Sequence, residues 1–104
     1  MIKQYVFRCD ADEKNGLGHL IRSINLARVL IKNNNKIKCL FYGDYNVFAK
    51  NLLTKYSIPF ITNNKKILKD SYLIIDNYFV TQDEITEFKK IVKKIIKIDD
   101  FNDL

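Results

Sequence analysis

The sequence predicts an α/β fold: a Rossmann-like parallel sheet of about five strands with helices on both faces. Three observations lead there. Short apolar runs rich in Ile, Val, Phe and Tyr recur along the chain, each the length of a buried strand. Between them lie segments whose apolar residues repeat at the i, i+3, i+4 spacing of a core-facing helix. Polar residues then follow the strands: Asp10 after the first, Gly43-Asp44 after the second, Asp76-Asn77-Tyr78 after the fourth and Asp99-Asp100 after the fifth. Strands alternating with helices imply parallel pairing through right-handed crossovers, and in such sheets ligands gather outside the C-terminal strand ends.

Taken in order, Ile2 to Cys9 reads as the first strand, ending at polar Asp10. The first helix is expected to begin near Gly18, with Leu20, Ile21, Ile24, Leu26, Ala27, Leu30 and Ile31 on its apolar side, and Asn33-Asn34-Asn35 ends it. Ile37 to Tyr42 makes a second buried strand. Val47 to Tyr56 reads as a helix with Phe48, Leu52 and Leu53 directed at the core. Pro59, the only proline, precedes a short strand Phe60-Ile61 that belongs near a sheet edge, because proline cannot donate to a ladder. Asn63 to Lys69 is polar with room for one helical turn. Tyr72 to Asp76 is the next strand. Gln82 to Lys90 forms a helix, with Thr81 as N-cap and Glu84 three residues on, the spacing of a capping box. Lys94 to Ile98 is the fifth strand.

At 104 residues the chain is read as a single domain, 1–104, large enough for an ordinary hydrophobic core. With 47% apolar residues and many aromatics it falls outside the disordered class. No run approaches the roughly 18 apolar residues of a membrane span. The opening residues also lack the apolar core and cleavage site of a signal peptide, so a cytoplasmic location is expected. Cys9 and Cys39 belong to no CxxC pair and are expected to be reduced and packed as small hydrophobes. The net charge of +6 comes mostly from lysine. Lys89, Lys90, Lys93, Lys94 and Lys97 are placed on helix or strand exteriors. Because no arginine-rich stripe with interleaved aromatics accompanies them, nucleic acid is not expected as a partner. A basic surface still attracts an anionic small substrate.

The stretch from Arg8 to Arg22 carries the chemistry. It places the only histidine, His19, directly after Gly16-Leu17-Gly18, between the first strand and the first helix. Glycines at such a junction let backbone N–H groups approach a ligand, and the helix N-terminus behind them favours negative charge. The same positive helix end disfavours imidazolium, so the ring stays available as a base for water. Asp10 or Asp76 is the candidate to orient it. Gly16-x-Gly18 lacks the third glycine of a dinucleotide fingerprint, and no Walker motif occurs, so a packing turn is the alternative. Arg22 lies one helical turn beyond His19, within reach of a phosphate or carboxylate, or of a surface salt bridge. Asp76-Asn77-Tyr78 reads either as an Asx-turn or as a crevice edge where Tyr78 offers a hydroxyl or a stacking face. Asp99-Asp100, without further spaced acids, reads as a loop cap rather than a metal site. No metal or other cofactor is expected.

Phe7-Arg8-Cys9-Asp10-Ala11-Asp12, then Gly16-Leu17-Gly18-His19-Leu20-Ile21-Arg22 and Leu26-Ala27, closely resembles the opening of the UDP-sugar hydrolases of pseudaminic acid biosynthesis. Related spore-coat polysaccharide proteins share that opening. The family form is roughly F-R-A-D-A-S, then I-G-x-G-H-x-x-R and L-A; Cys9 and Asp12 depart from it. Ile75-Asp76-Asn77-Tyr78 is similar to the family's I-D-x-Y strand end, and Ile98-Asp99-Asp100 to its I-D-D element.

The resemblance implies a GT-B-like architecture of which this chain is the N-terminal half, with the C-terminal nucleotide-binding half absent. It implies release of UDP from UDP-2,4-diacetamido-2,4,6-trideoxy-β-L-altropyranose by water attack at the anomeric carbon, with His19 as catalytic base. It implies Tyr78 as an active-site tyrosine and places the Gly16-Leu17-Gly18 turn against the diphosphate or sugar; with Asp10 and Arg22 from the local reading, these are the candidate substrate contacts. The implied partners are the UDP-sugar and a C-terminal half; self-association through the exposed interdomain face is a further expectation. Little hydrolysis is expected from this half alone, because positioning the substrate supplies several orders of magnitude in rate. Half of a glycosyltransferase, with a sugar or lipid hydroxyl replacing water, and a non-enzymatic α/β binding module are the competing readings.

Overall fold

The computed structural model describes residues 2–12, 16–75 and 80–98. Asp76, Asn77, Tyr78, Asp99 and Asp100, all singled out in the sequence, lie outside them. Five parallel strands, β1 (Lys3–Arg8), β2 (Ile37–Tyr42), β3 (Phe60–Ile61), β4 (Tyr72–Ile75) and β5 (Lys94–Lys97), form one sheet in the order β3-β2-β1-β4-β5. The helices are α1 (Gly18–Asn33), α2 (Val47–Lys55) and α3 (Gln82–Lys89), with a 3₁₀ turn at Lys65–Leu68. The chain builds outward from β1 through β2 to β3, then returns to the other side of β1 for β4 and β5. That reversal makes the β1/β4 junction the switch point where a parallel sheet opens a crevice.

The strands alternate, and each face has its own core. Phe7, Cys39, Phe41 and Ile74 point to α1 and α2, meeting Leu20, Ile24, Ala27 and Leu53. Val6, Leu40, Leu73 and Ile75 point to the other face, against Leu68, Ile85 and Phe88. In-register neighbours Phe7 and Phe41 stack with ring centroids 4.9 Å apart. Fully burying one such ring contributes on the order of 1.5–3 kcal/mol. β3 sits at the edge as its proline requires: Pro59 donates nothing, yet its carbonyl accepts from Phe41 N–H at 3.0 Å.

Two helical assignments differ from the expected apolar sides. On α1 the buried positions are Leu20, Ser23, Ile24 and Ala27, whereas Ile21 and Ile31 are exposed. Ser23 occupies the inward row with Leu20, Ile24 and Ala27, and Ile21, on the far side of the helix from Ser23, faces outward. On α2 the inward pair is Ala49 and Leu53, and Phe48 is 63% exposed rather than core. Ala49 takes the inward position on this helix, which leaves its bulky neighbour outside. Cys9 and Cys39 are both buried thiols with no disulfide, and burial pushes Cys39 up to about 11.

At α3 the Thr81 side chain accepts from Glu84 N–H at 3.1 Å, as an N-cap should. The reciprocal half of the capping box is replaced: the Glu84 carboxylate reaches across to Arg8 instead. Thr81→Ala is expected to cost about 1 kcal/mol in urea unfolding, since the lost acceptor leaves a helix N–H unsatisfied.

Candidate functional site

The crevice edge is built from the residues that leave β1. Arg8 closes the strand on the same face as Val6, where its neighbours are Tyr42 and α3 rather than solvent. A charged group in that position needs carboxylates, and two supply them. Arg8 Nη1 donates to Asp10 Oδ1 at 2.6 Å, and Arg8 Nε donates to Glu84 Oε1 at 2.7 Å. The guanidinium also lies 5.8 Å from the centre of the Tyr42 ring. With the Arg8 side chain only 11% exposed and Asp10 9%, this is an ion-pair cluster largely withdrawn from water. Burial by itself would weaken the hold of Arg8 on its proton. The hydrogen bonds to Asp10 and Glu84 outweigh it and push the guanidinium above its ordinary range.

Asp10 Oδ1 accepts a second hydrogen bond, from Asp44 N–H at 2.8 Å. The carboxylate therefore ties the end of β1 to the turn after β2. Further along, Ala11 N–H donates to Asp44 C=O and Asn46 N–H to Ala11 C=O. This zipper brings Gly43 against the backbone of β1. A Cβ built on Gly43 would stand 2.0 Å from the Cys9 carbonyl oxygen and 2.8 Å from Asp10 Oδ1. Gly43 is thus the glycine that close packing demands. Beside it, Tyr45 is buried; burial first, and neighbouring Cys9 second, push that phenol far above its ordinary range.

The Gly16-x-Gly18 turn has the opposite character. Both glycines are exposed, neither has positive φ, and a Cβ on either would meet nothing within 4 Å. Leu17 between them is the N-cap position of α1, in helical geometry, and packs partly buried against the first core. It contributes an apolar anchor, not a capping side chain. Leu17 supplies no capping side chain and the first turn of α1 holds no acid, so the positive end of a 16-residue helix lies at the crevice edge.

His19 and Arg22 are half-buried on that first turn, with Arg22 Nη2 3.2 Å from His19 Nδ1. A guanidinium only donates, so in this contact Nδ1 presents its lone pair and Nε2 carries the proton. The structure thus joins His19 to Arg22, and Asp10 to Arg8 and Asp44. Of the two candidates to orient the imidazole, Asp10 or Asp76, Asp10 is engaged by Arg8 and Asp44, and Arg22 stands at His19 Nδ1. Tyr78 lies outside the described residues, as does Asp76.

Arg8, Gly43 and Glu84 were not singled out as site residues from the sequence. Arg8 did carry a signal: an arginine in phase with the buried face of an apolar strand must find acids. Nothing in the local sequence marks Gly43 or says that Glu84 turns toward β1. Among the described residues no three His, Cys, Asp or Glu side chains gather in the manner of a metal site. No helix there is long and apolar enough to cross a membrane. Compared with known proteins, the chain matches no family model, no curated protein and no solved structure.

Proposed function

We propose that this chain is the N-terminal, base-bearing half of a GT-B-like UDP-sugar hydrolase of nonulosonic (pseudaminic) acid biosynthesis, working in the cytoplasm. The observation that carries this reading is the His19–Arg22 pair on the acid-free first turn of α1, at the strand end where a parallel sheet takes its ligands. The open space in front of Gly16 and Gly18 leaves room for a diphosphate against the helix N–H groups. Two reduced, buried cysteines suit a reducing compartment.

In this reading the diphosphate draws the Arg22 guanidinium away from His19, because a bidentate phosphate contact is stronger than one to a neutral imidazole. The Nδ1 lone pair so released takes a proton from water. The water oxygen bonds to the anomeric carbon, and the bond from that carbon to the diphosphate oxygen breaks, its electron pair leaving with UDP. Arg8, Asp10 and Gly43 act as positioning residues that fix where the loop leaves β1. Val47 and Phe48, exposed at the start of α2 on the same edge, provide an apolar face for a C-terminal half or for a second copy of this chain.

The test is UDP release from UDP-2,4-diacetamido-2,4,6-trideoxy-β-L-altropyranose, measured with this chain alone and with a separately supplied C-terminal half. Turnover is expected only with both, and His19→Ala is expected to lower it by at least about 100-fold, the usual contribution of a general base. Undiminished turnover in His19→Ala would remove the base from the proposal. Release that begins only after a sugar or lipid hydroxyl is added would make the protein a glycosyltransferase half instead.

A further inference from the structure

The opposite edge of the sheet has a feature that the crevice chemistry does not use. At the N-terminal ends of the strands a depression of about 630 Å³ is ringed by Lys3, Lys38, Lys69 and Lys93, with Asp70 the single acid in its lining. Among the described residues none of these four lysines is in an ion pair; the nearby Lys65 is, at 2.6 Å from Glu87. Four ammonium groups gathered without matching carboxylates repel one another, and they raise the local potential for an anion. Ile2, also lining the depression, is 71% exposed. Ile67 is 46% exposed, and its carbonyl accepts from Gln4 Nε2 at 3.1 Å, which fixes it to the same rim.

We propose that this edge is a docking surface for an anionic lipid bilayer, the lysines meeting headgroup phosphates and Ile2 and Ile67 entering the interfacial layer. Lysines around protruding aliphatic side chains are the pattern of a reversible, peripheral membrane contact. The alternative polyanion, nucleic acid, is disfavoured by the aromatic present. Tyr72 stacks on Tyr5 at 5.1 Å, and both Lys3 Nζ and Lys93 Nζ lie 5.7 Å from its ring centre, so the ring is already engaged and poorly placed to stack on a base. No arginine lines the depression. Because β1 is six residues long, this edge lies roughly 20 Å from the crevice edge, so a docked molecule keeps its candidate site turned toward solution. The inference does not depend on the hydrolase reading.

The experiment is flotation of the full chain with vesicles of phosphatidylcholine, with and without phosphatidylglycerol, alongside binding to a single-stranded oligonucleotide and to tripolyphosphate. Binding to the anionic vesicles alone is expected. Lys38→Gln/Lys93→Gln is expected to weaken it roughly 25-fold, about fivefold for each charge near an anionic surface. Lys50→Gln/Lys97→Gln, with the same change in net charge elsewhere, is expected to leave it unchanged, and Ile67→Ser to weaken it with the charges intact. Far-UV circular dichroism checks that each variant is folded. Equal binding to neutral vesicles, equal loss in both double variants, or patch-dependent binding of the oligonucleotide or of tripolyphosphate without binding to vesicles would overturn the proposal.

Discussion

Arg8→Met is expected to lower the stability of the chain by about 3 kcal/mol, the cost of leaving withdrawn carboxylates without their cation. The size follows from what the substitution leaves behind rather than from what it removes. Methionine keeps most of the aliphatic bulk beside Tyr42, so little packing is lost. Asp10 and Glu84, 2.6 and 2.7 Å from the guanidinium, would instead face each other with no cation between them. Urea unfolding checks the value. Arg8→Met/Glu84→Gln should recover a good part of the loss, because one of the two opposed charges is gone. If the double variant were no more stable than Arg8→Met, the cost would have to come from packing around Tyr42. The order of the outcomes therefore separates charge from shape at the strand end.

Gly43→Ala should be nearly as damaging, at about 3 kcal/mol, near the upper end for forcing an extra methyl into a packed region. The added carbon would overlap the Cys9 carbonyl and crowd Asp10 Oδ1. Neither can retreat cheaply, because Cys9 directly follows β1 with its N–H bonded to the Tyr42 carbonyl, and Asp10 Oδ1 already holds Arg8 and Asp44. Gly18→Ala offers the contrast. Its Cβ meets nothing within 4 Å, and it is the first residue of α1, where alanine is the better helix former by at most about 0.8–1.0 kcal/mol. That substitution is expected to stabilise the chain while narrowing the approach to the helix N-terminus. Greater stability combined with weaker UDP-sugar binding by the reconstituted halves would show that the glycine is kept for ligand access. Unchanged binding would make it dispensable.

The five strands were legible because a strand buried on both faces leaves an unbroken apolar run, and each run here is closed by a polar or glycine residue. β2 occupies Ile37–Tyr42, the span read from its composition, and β3 follows its proline at the edge. Helix existence was equally legible from periodicity, and Thr81 announced its own cap. Which side of each helix turns inward was harder to read. Ile21, Ile31 and Phe48 are apolar but exposed, because inward rows are chosen by how closely a helix can approach the sheet. Small Ser23 and Ala49 occupy inward positions, and hydropathy alone does not single them out.

The candidate site divides along the same line. Residues close in sequence could be placed together from spacing: His19 and Arg22, one helical turn apart, do meet. Contacts between distant residues could not. Arg8 and Glu84 are 76 positions apart, and Gly43 meets Cys9 only because β1 and β2 pair in register. The sequence by itself determined the order and kind of the elements, the turn that carries the only histidine, and the excess of lysine. Tertiary structure alone decided that Asp10 answers to Arg8, that the indispensable glycine is Gly43, and that four lysines from separate elements share one edge. The physical reason is that periodicity and capping act over a few residues along the chain, whereas ion pairing and steric exclusion act over a few ångströms through space.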